Sequence, residues 1–192
     1  MTKKDTINGL ILAGGKSSRM GYDKSLLVVH DKPQREYLVD LLKKHVDNVF
    51  LSCKKGADIN PLFNPIPDQY DLKSPLNGIL SAFTFDPTSA WLVIAVDMPL
   101  ITDEALKFLL ANRDAKKVAT CFADSDGTLP EPLFTLWEPK AFALLKYYYN
   151  KGNISPRNFL KTHDVKILQA PDKRILTNIN SVEDLEKLNE KK

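Results

Sequence analysis

Residues 10–24 read Leu-Ile-Leu-Ala-Gly-Gly-Lys-Ser-Ser-Arg-Met-Gly-Tyr-Asp-Lys, and they constrain the fold more than any other stretch. They overlap a short run rich in Leu and Ile, residues 7–13, which predicts a strand buried on both faces. The run ends at Gly14 and Gly15, where backbone amides can approach a ligand closely because no Cβ intervenes. The polar loop that follows carries three cations: Lys16, Arg19 and Lys24. A buried strand that opens into a glycine-rich, cationic loop favours the binding of a phosphate chain.

Two better-known glycine motifs do not describe this loop. A P-loop has four residues between its glycines and a Lys directly after the second. Here five residues separate Gly15 from Gly21, and the next Lys is Lys24. The GxGxxG pattern of dinucleotide-binding folds is also absent from the stretch. The loop therefore indicates a phosphate site of another kind.

Length and composition bound the class of protein. A chain of 192 residues most simply forms one domain with a substantial core. Its net charge of +3 suits a small anionic substrate but is too weak and dispersed for nucleic-acid binding. No apolar run approaches the ~20 residues of a membrane helix, and the one near the start is too short for a signal peptide. Cys53 and Cys121 lack metal-ligand spacing, so we expect two reduced thiols of a cytoplasmic protein.

Strand, helix and strand alternate through about residue 112, which predicts βαβ units and a mostly parallel sheet. Extended segments are predicted at residues 7–13, 25–29, 49–52, 66–68 and 90–96, and helices at 34–46, 76–85 and 102–112. Beyond them, residues 118–122 and 132–137 flank a polar turn, which predicts a β-hairpin. Helices at 139–149 and from Ser155, a strand at 165–168 and a C-terminal helix capped by Ser181 complete the prediction.

Asp97 is the strongest single candidate for chemistry. It follows residues 90–96, the most apolar run of the chain, and ligands of open α/β sheets bind at the carboxyl ends of such strands. A carboxylate there needs a positive partner such as Lys, Arg or a metal ion. Mg²⁺ is usually held by one or two carboxylates together with phosphate oxygens. An Asx-turn or a helix cap before Pro99 is the structural alternative, and the residues alone leave both roles open.

The stretch at 10–24 resembles the nucleotidyltransferase signature LAGGxSxRMGxDK, most closely in its molybdenum cofactor guanylyltransferase version. The matching positions are Leu12-Ala13-Gly14-Gly15, Ser17, Arg19-Met20-Gly21 and Asp23-Lys24. Asp97-Met98-Pro99 matches the D-x-P segment that follows a central strand in this family. The resemblance covers nearly the whole chain. It implies a three-layer α/β/α, Rossmann-like nucleotidyltransferase fold with a mostly parallel sheet and an added β-hairpin region.

The resemblance also implies roles for individual residues. Arg19, Lys24 and Asp97 would be catalytic, and Asp97 would bind Mg²⁺, the implied cofactor. The implied nucleotide-binding residues are Leu12, Ala13, Gly14, Gly15, Lys24, Ser52, Asp68 and Asp97, with Ser52 departing from the Asn of bacterial members. The implied acceptor-binding residues are Pro132, Arg157, Asn178 and Asn180, with Arg157 reaching an anionic pterin phosphate. An ordinary turn is the structural alternative for Asp68, and a turn with a helix cap is the alternative for the two asparagines.

The resemblance predicts guanylyl transfer to the molybdenum cofactor. A terminal phosphate of molybdopterin would attack the α-phosphate of GTP and release pyrophosphate. Within one domain, residues 1–112 would bind the nucleotide and residues 113–192 the pterin. The expected partners are GTP and molybdopterin, with transient contacts to molybdoenzymes or cofactor-handling proteins and none to nucleic acid or membranes.

Three other functions stay open. The first is a cytidylyltransferase acting on the same pterin, although Asp23 before Lys24 favours the guanine version. The second is a sugar-phosphate nucleotidyltransferase, a class whose chains are usually longer. The third is a non-catalytic nucleotide-binding module that presents a cofactor to a partner protein.

Overall fold

The computed structural model describes residues 5–13, 26, 28–179 and 184, and these residues hold seven strands and five helices. The strands are β1 (Ile7–Leu12), β2 (Asn48–Cys53), β3 (Pro65–Pro67), β4 (Ala90–Ala95), β5 (Ala119–Ala123), β6 (Pro130–Trp137) and β7 (Lys166–Leu168). The helices are α1 (Gln34–Leu42), α2 (Leu76–Phe85), α3 (Asp103–Ala111), α4 (Ala141–Asn150) and α5 (Pro156–Thr162). Short 3-10 turns lie at Pro61–Phe63 and Lys173–Leu176. Within these ranges, every helix is too short or too polar to cross a bilayer.

The seven strands form one sheet in the order β3-β2-β1-β4-β6-β5-β7. β1 pairs in parallel with both β2 and β4, and β2 pairs in parallel with β3. β6 is antiparallel to its neighbours β4 and β5, whereas β7 is parallel to β5. Six strands therefore point the same way, which confirms the predicted mostly parallel sheet with a hairpin region. The hairpin joins the parallel half through its second strand, β6.

Helices cover both faces of the sheet, which gives the predicted three layers. α1 and α3 pack on one face, and α2, α4 and α5 pack on the other. β4 contributes to both cores because side chains alternate along a strand. Leu92 and Ile94 join the first core, and Trp91 and Val93 join the second. All four are fully buried, and each of the aliphatic side chains stabilises the fold by about 1.5–3 kcal/mol.

Local signals place two helix starts as predicted. The Thr102 hydroxyl caps α3 by accepting a hydrogen bond from the Ala105 amide at 3.3 Å. The Ser155 hydroxyl caps α5 by accepting from the Asn158 amide at 3.2 Å, and Pro156 occupies the first helical position. The helix predicted at residues 76–85 is α2 with the same bounds.

The first helix is shorter than its apolar pattern predicts. α1 ends at Leu42 rather than residue 46, because the amides of His45 and Val46 both donate to the Leu42 carbonyl and form a turn. The turn brings the Asp47 amide to the Ile7 carbonyl at 2.9 Å, so β2 can start beside β1. Val46 still packs against the core, which explains why the helical spacing continues past the helix.

Two local predictions fall partly or wholly outside the described residues. In the extended segment predicted at 25–29, positions 25 and 27 are not described, and Val28 forms a single bridge to Pro33. Ser181, predicted to cap a C-terminal helix, is also outside the described ranges.

Candidate active site

Several predicted nucleotide-binding residues meet at the carboxyl edge of the central strands. Leu12 ends β1 and lies opposite Ser52 on β2. The Ala13 amide donates to the Ser52 carbonyl at 3.3 Å, and the Val96 amide donates to the Leu12 carbonyl at 3.2 Å. These bonds extend both ladders past the strand ends. The chain that leads into the glycine-rich loop is therefore held between β2 and residues 96–100, here called the Asp97 turn.

Asp97 is partly exposed at this edge. The Met98 amide donates to the Ala95 carbonyl at 3.3 Å, which bends the chain directly after β4. The Asp97 carbonyl accepts a hydrogen bond from the Ile179 amide at 2.8 Å. This contact brings the exposed Asn178 close to Asp97, although the two are far apart in sequence.

Three side chains near the start of α1 hold the backbone that follows Asp97. His30 Nε2 and the Tyr37 hydroxyl donate to carbonyls within residues 98–101, at 2.7 and 3.0 Å. The buried Gln34 amide donates to a third carbonyl in the same segment at 3.4 Å. The rings of His30 and Tyr37 stack with their centroids 3.9 Å apart. The Asp97 turn is thus tied to the chain that comes shortly after the glycine-rich loop.

A second acid, Glu131 on β6, lies near Asp97. β4 and β6 pair as far as Ile94 opposite Phe134, and Glu131 lies three residues before Phe134 on β6. The two carboxylates are close enough for the charge of Asp97 to act on Glu131. Glu131 is only 5% exposed, and this burial is the main cause that raises its pKa. Bonds from a backbone amide and a guanidinium oppose the shift, while the carboxylates of Asp124 and Asp97 add to it.

Arg157, at the start of α5, is held by two acids on either side of the β5–β6 turn. Its Nη2 donates to Glu131 Oε2 at 2.8 Å, and its Nη1 donates to Asp124 Oδ2 at 3.3 Å. The other Glu131 oxygen accepts from the Leu133 amide at 2.9 Å. The Arg157 side chain keeps 38% of its surface accessible. Its cationic group therefore has a fixed position and remains accessible to an anion.

Asp68 follows β3 further along the same edge. Its amide donates to the Cys53 carbonyl at 2.8 Å, and its carboxylate accepts a hydrogen bond from the Ser52 hydroxyl. Burial is the largest influence and raises the pKa of Asp68, while the charge of Lys54 and the Ser52 bond lower it by less. A surface cavity of about 360 Å³ opens beside Asp68, and its lining includes three lysines and Asn77.

The structure therefore separates the predicted site residues into three groups. Leu12, Ala13, Ser52, Asp68, Asp97 and Asn178 lie along one edge of the sheet. The buried Pro132 and the accessible Arg157 lie across from them on β6 and α5. The remaining predicted residues lie outside the described ranges: Gly14, Gly15, Arg19, Lys24 and Asn180.

The donors at this edge are compatible with one type of metal site. In the residues that the structure describes, no three His, Cys, Asp or Glu side chains gather as a metal-binding group. Both oxygens of Glu131 accept hydrogen bonds from the protein, and Asp97 follows β4 at the strand ends, where the sequence predicts the metal ligand. Mg²⁺ commonly takes one or two protein carboxylates and completes its shell with phosphate oxygens and water. A single carboxylate at this edge would meet that requirement if a ligand supplied the phosphate oxygens.

Sequence reasoning missed three residues of this region. Asp124 lies in the predicted polar turn and Glu131 just before the predicted strand at 132–137, and neither is assigned a role there. Their approach to Arg157 and Asp97 depends on the strand register, which the sequence does not reveal. Asn77 carried a usable signal: it is a polar residue within the mainly apolar α2, and buried polar side chains usually have specific partners.

Comparison with known proteins identifies the family of this chain. Residues 9–167 match the model of the MobA-like NTP transferase domain. A molybdenum cofactor biosynthesis bifunctional protein from Synechocystis is 35% identical over 94% of this chain, and the match spans 53% of that relative's length. A probable molybdenum cofactor guanylyltransferase from Methanocaldococcus jannaschii is 31% identical, over 93% of this chain and 96% of the relative.

A solved structure shows the same fold. Molybdopterin-guanine dinucleotide biosynthesis protein A from Archaeoglobus fulgidus superposes with a TM-score of 0.78 at 22% identity, covering 95% of this chain and 97% of that one. The family model matches most of the chain, and the fold and the edge of the sheet described above agree with it. This chain belongs to the MobA-like NTP transferase family.

Proposed function

We propose that this protein transfers GMP from GTP to the terminal phosphate of molybdopterin, which releases pyrophosphate and forms molybdopterin guanine dinucleotide. The observation that carries the proposal is the shared edge where β1, β2 and β4 end. Leu12, Ser52 and Asp97 converge there at the entrance to the glycine-rich loop. The names of the guanylyltransferase relatives support the choice of substrates.

The proposed reaction is an in-line displacement at phosphorus. An oxygen of the acceptor phosphate forms a bond to the α-phosphorus of GTP. The bond from that phosphorus to the oxygen bridging the α- and β-phosphates breaks, and its electron pair leaves with pyrophosphate. The attacking oxygen is already anionic, so no side-chain base is needed. The protein contributes positioning and charge stabilisation.

On the nucleotide side, Gly14 and Gly15 would allow close approach of the backbone to the phosphates, and Arg19 and Lys24 would neutralise them. Asp97 would hold Mg²⁺, which when bound offsets the negative charge that develops on the phosphate oxygens. Asp68 would accept hydrogen bonds from the guanine base beside the cavity on β3.

On the acceptor side, Arg157 would bind the pterin phosphate, and Asn178 and Asn180 would contact the same substrate. Pro132 is buried in β6, so we assign it the supporting role of fixing the strand next to Glu131. The nucleotide would thus bind to the half at residues 1–112 and the pterin mainly to the half at 113–192. We place the reaction in the cytoplasm, with transient hand-over of the product to molybdoenzymes or cofactor-handling proteins.

A direct assay tests the reaction. Purified protein is mixed with Mg²⁺, molybdopterin and each of the four nucleoside triphosphates in turn, and pyrophosphate release is measured. We expect release with GTP, and only when molybdopterin is present. Release with CTP instead would replace the proposal with cytidylyl transfer. Nucleotide binding without release would favour a non-catalytic carrier.

Replacing Asp97 tests its role. The variant Asp97→Asn should lower the turnover rate by at least about a hundredfold, because a neutral amide is a poor Mg²⁺ ligand. The fold should remain intact, as judged by circular dichroism, because Asp97 is partly exposed in a turn. Asp164→Asn is the matched control, since it removes an exposed acid paired with Lys117 before β7. Full activity of Asp97→Asn would remove the catalytic assignment.

A further inference from the structure

Asn77 uses its whole hydrogen-bonding capacity inside the protein. It is 5% exposed near the start of α2. Its Nδ2 donates to the carbonyls of Tyr70 and Leu72 at 2.6 and 3.1 Å. Its Oδ1 accepts from the Tyr70 amide and from the Ser81 hydroxyl, both at 3.2 Å. A side-chain amide offers two donor hydrogens and two acceptor positions, so Asn77 has none left for a ligand.

Ser81, one helical turn after Asn77, bonds the backbone of Gln69, the residue before Tyr70 in the same loop. It is fully buried, and its hydroxyl accepts a hydrogen bond from the Gln69 amide at 2.9 Å. Residues four apart lie on the same face of a helix. One face of α2 therefore fixes the backbone of the two residues that directly follow Asp68.

Ser52 supports Asp68 from the other side. Its hydroxyl donates to the Asp68 carboxylate, and its side chain is only 2% exposed. The Asp68 amide is bonded to the Cys53 carbonyl at the end of β2. Asp68 is thus held between a strand end and a loop whose backbone is bonded to α2, next to the cavity of about 360 Å³.

From these contacts we infer that Asn77 is a positioning residue that sets base preference by fixing residues 68–72 and, through them, the Asp68 carboxylate. The inference rests on the proposed role of Asp68 in binding the base. A carboxylate can accept hydrogen bonds from both the ring N–H and the 2-amino group of guanine, but only if it is held in the plane of the base. Ser52 supports the same carboxylate from the end of β2.

The test uses three variants of α2. Asn77→Ala removes all four hydrogen bonds of the Asn77 side chain. Ser81→Ala removes the bond from the Gln69 amide and the bond that Ser81 donates to Asn77. The control is Thr84→Ala, because Thr84 bonds the Tyr70 hydroxyl and the Leu80 carbonyl but no backbone group of residues 68–72. Dissociation constants for GTP and for ITP, which lacks the 2-amino group, are measured with Mg²⁺. Amide hydrogen exchange at Gln69 and Tyr70 is measured without nucleotide.

We expect the wild-type protein and Thr84→Ala to bind GTP more tightly than ITP. In Asn77→Ala this preference should fall about tenfold, since hydrogen bonds to a carboxylate lose strength when it is misplaced. The amides of Gln69 and Tyr70 should exchange faster in the same variant. Ser81→Ala should change both quantities in the same direction by a smaller factor, and it serves as the test if Asn77→Ala does not fold.

Two results would overturn the inference. One is an unchanged GTP-to-ITP ratio in folded Asn77→Ala or, if that variant is unfolded, in Ser81→Ala. The other is a wild-type protein without any preference between the two nucleotides. Failure of the proposed reaction would look different. The wild-type protein would prefer GTP to ITP and Asn77→Ala would lose that preference, but the wild-type protein would release no pyrophosphate.

Discussion

Two pairs of arginine with a buried glutamate lie at opposite ends of the strands of the sheet. Glu138, after β6, receives hydrogen bonds from Arg113 Nε and Nη2 at 2.7 and 2.8 Å, at the edge where β4 begins. Glu131, near the start of β6, pairs with Arg157 at the edge where β4 ends and Asp97 lies. The two pairs are chemically alike. At the residue scale, position in the sheet therefore separates a structural pair from one that can serve the site.

Glu131→Gln should raise the KM for molybdopterin about tenfold or more, because the neutral amide no longer holds the Arg157 guanidinium by a charged hydrogen bond. The KM for GTP should change little. Glu138→Gln is the matched control. It should lower the free energy of unfolding in urea as Glu131→Gln does, but leave the KM for molybdopterin unchanged. Equal KM values in the two variants would contradict a role for Arg157 in acceptor binding.

Gly78, in the first turn of α2, allows the helix to pack closely against the ends of β1 and β2. A Cβ added to it would lie 2.5 Å from both Leu12 Cδ2 and Ser52 Oγ, which is too close for either atom. Gly78→Ala should therefore destabilise the protein by about 1–3 kcal/mol and weaken GTP binding by moving Ser52. Urea unfolding and calorimetry would measure both effects.

The double variant Gly78→Ala, Ser52→Ala provides the control. It should recover part of the lost stability, because it removes one of the two overlapping atoms. Destabilisation that is the same with and without the Ser52 hydroxyl would show that the contact with Ser52 is not the cause.

At the scale of elements, α1 and α3 are joined near their ends. His45, just past α1, lies 2.7 Å from Asp103, the first residue of α3, and Asp103 also pairs with Lys107 at 2.6 Å. Asp103 is in the first helical turn, where the helix dipole favours a negative charge. The hydrogen bonds from Lys107 and then His45 lower the pKa of Asp103 from 3.8 to about 2.

This lowered pKa predicts a pH dependence of stability. The folded protein keeps Asp103 ionised down to lower pH than the unfolded chain does, so its contribution is fully present above pH 3.8 and is lost as the pH falls toward about 2. The difference in free energy of unfolding between the wild-type protein and Asp103→Asn should shrink over that interval. Urea titrations at several pH values would measure it. A difference that stays constant with pH would contradict the assignment.

The elements also show what local sequence reasoning can and cannot predict. Apolar runs and caps predicted β4, α2 and α3, because burial and capping act over a few neighbouring residues. The same reasoning predicted too long an α1, because Val46 is apolar where it packs against the core and not because it is helical. It could not predict that β6 pairs with β4, and hence that Glu131 comes near Asp97. Pairing register depends on residues distant in the chain.

At the scale of the whole molecule, the sheet has two unequal parts, for which we propose different roles. β3, β2, β1 and β4 form a parallel half whose carboxyl edge carries the proposed nucleotide residues. β6, β5 and β7 extend the sheet, and β6 brings Glu131 to the same edge because it runs in the opposite direction. Arg157, at the start of α5, is held there by its hydrogen bond to Glu131. The sequence predicted the parallel sheet and the added hairpin, and the roles of the two halves and of the first group of site residues stay predictions. The second group was predicted only as far as Pro132 and Arg157, without the acids that hold the arginine.

The most direct test of this account is a crystal structure of the protein grown with Mg²⁺ and a GTP analogue that cannot be cleaved at the α-phosphate. We expect the triphosphate at the edge formed by Leu12, Ser52 and Asp97, the metal on the Asp97 carboxylate, and the base next to Asp68. A nucleotide bound elsewhere, with this edge empty, would contradict the central claim.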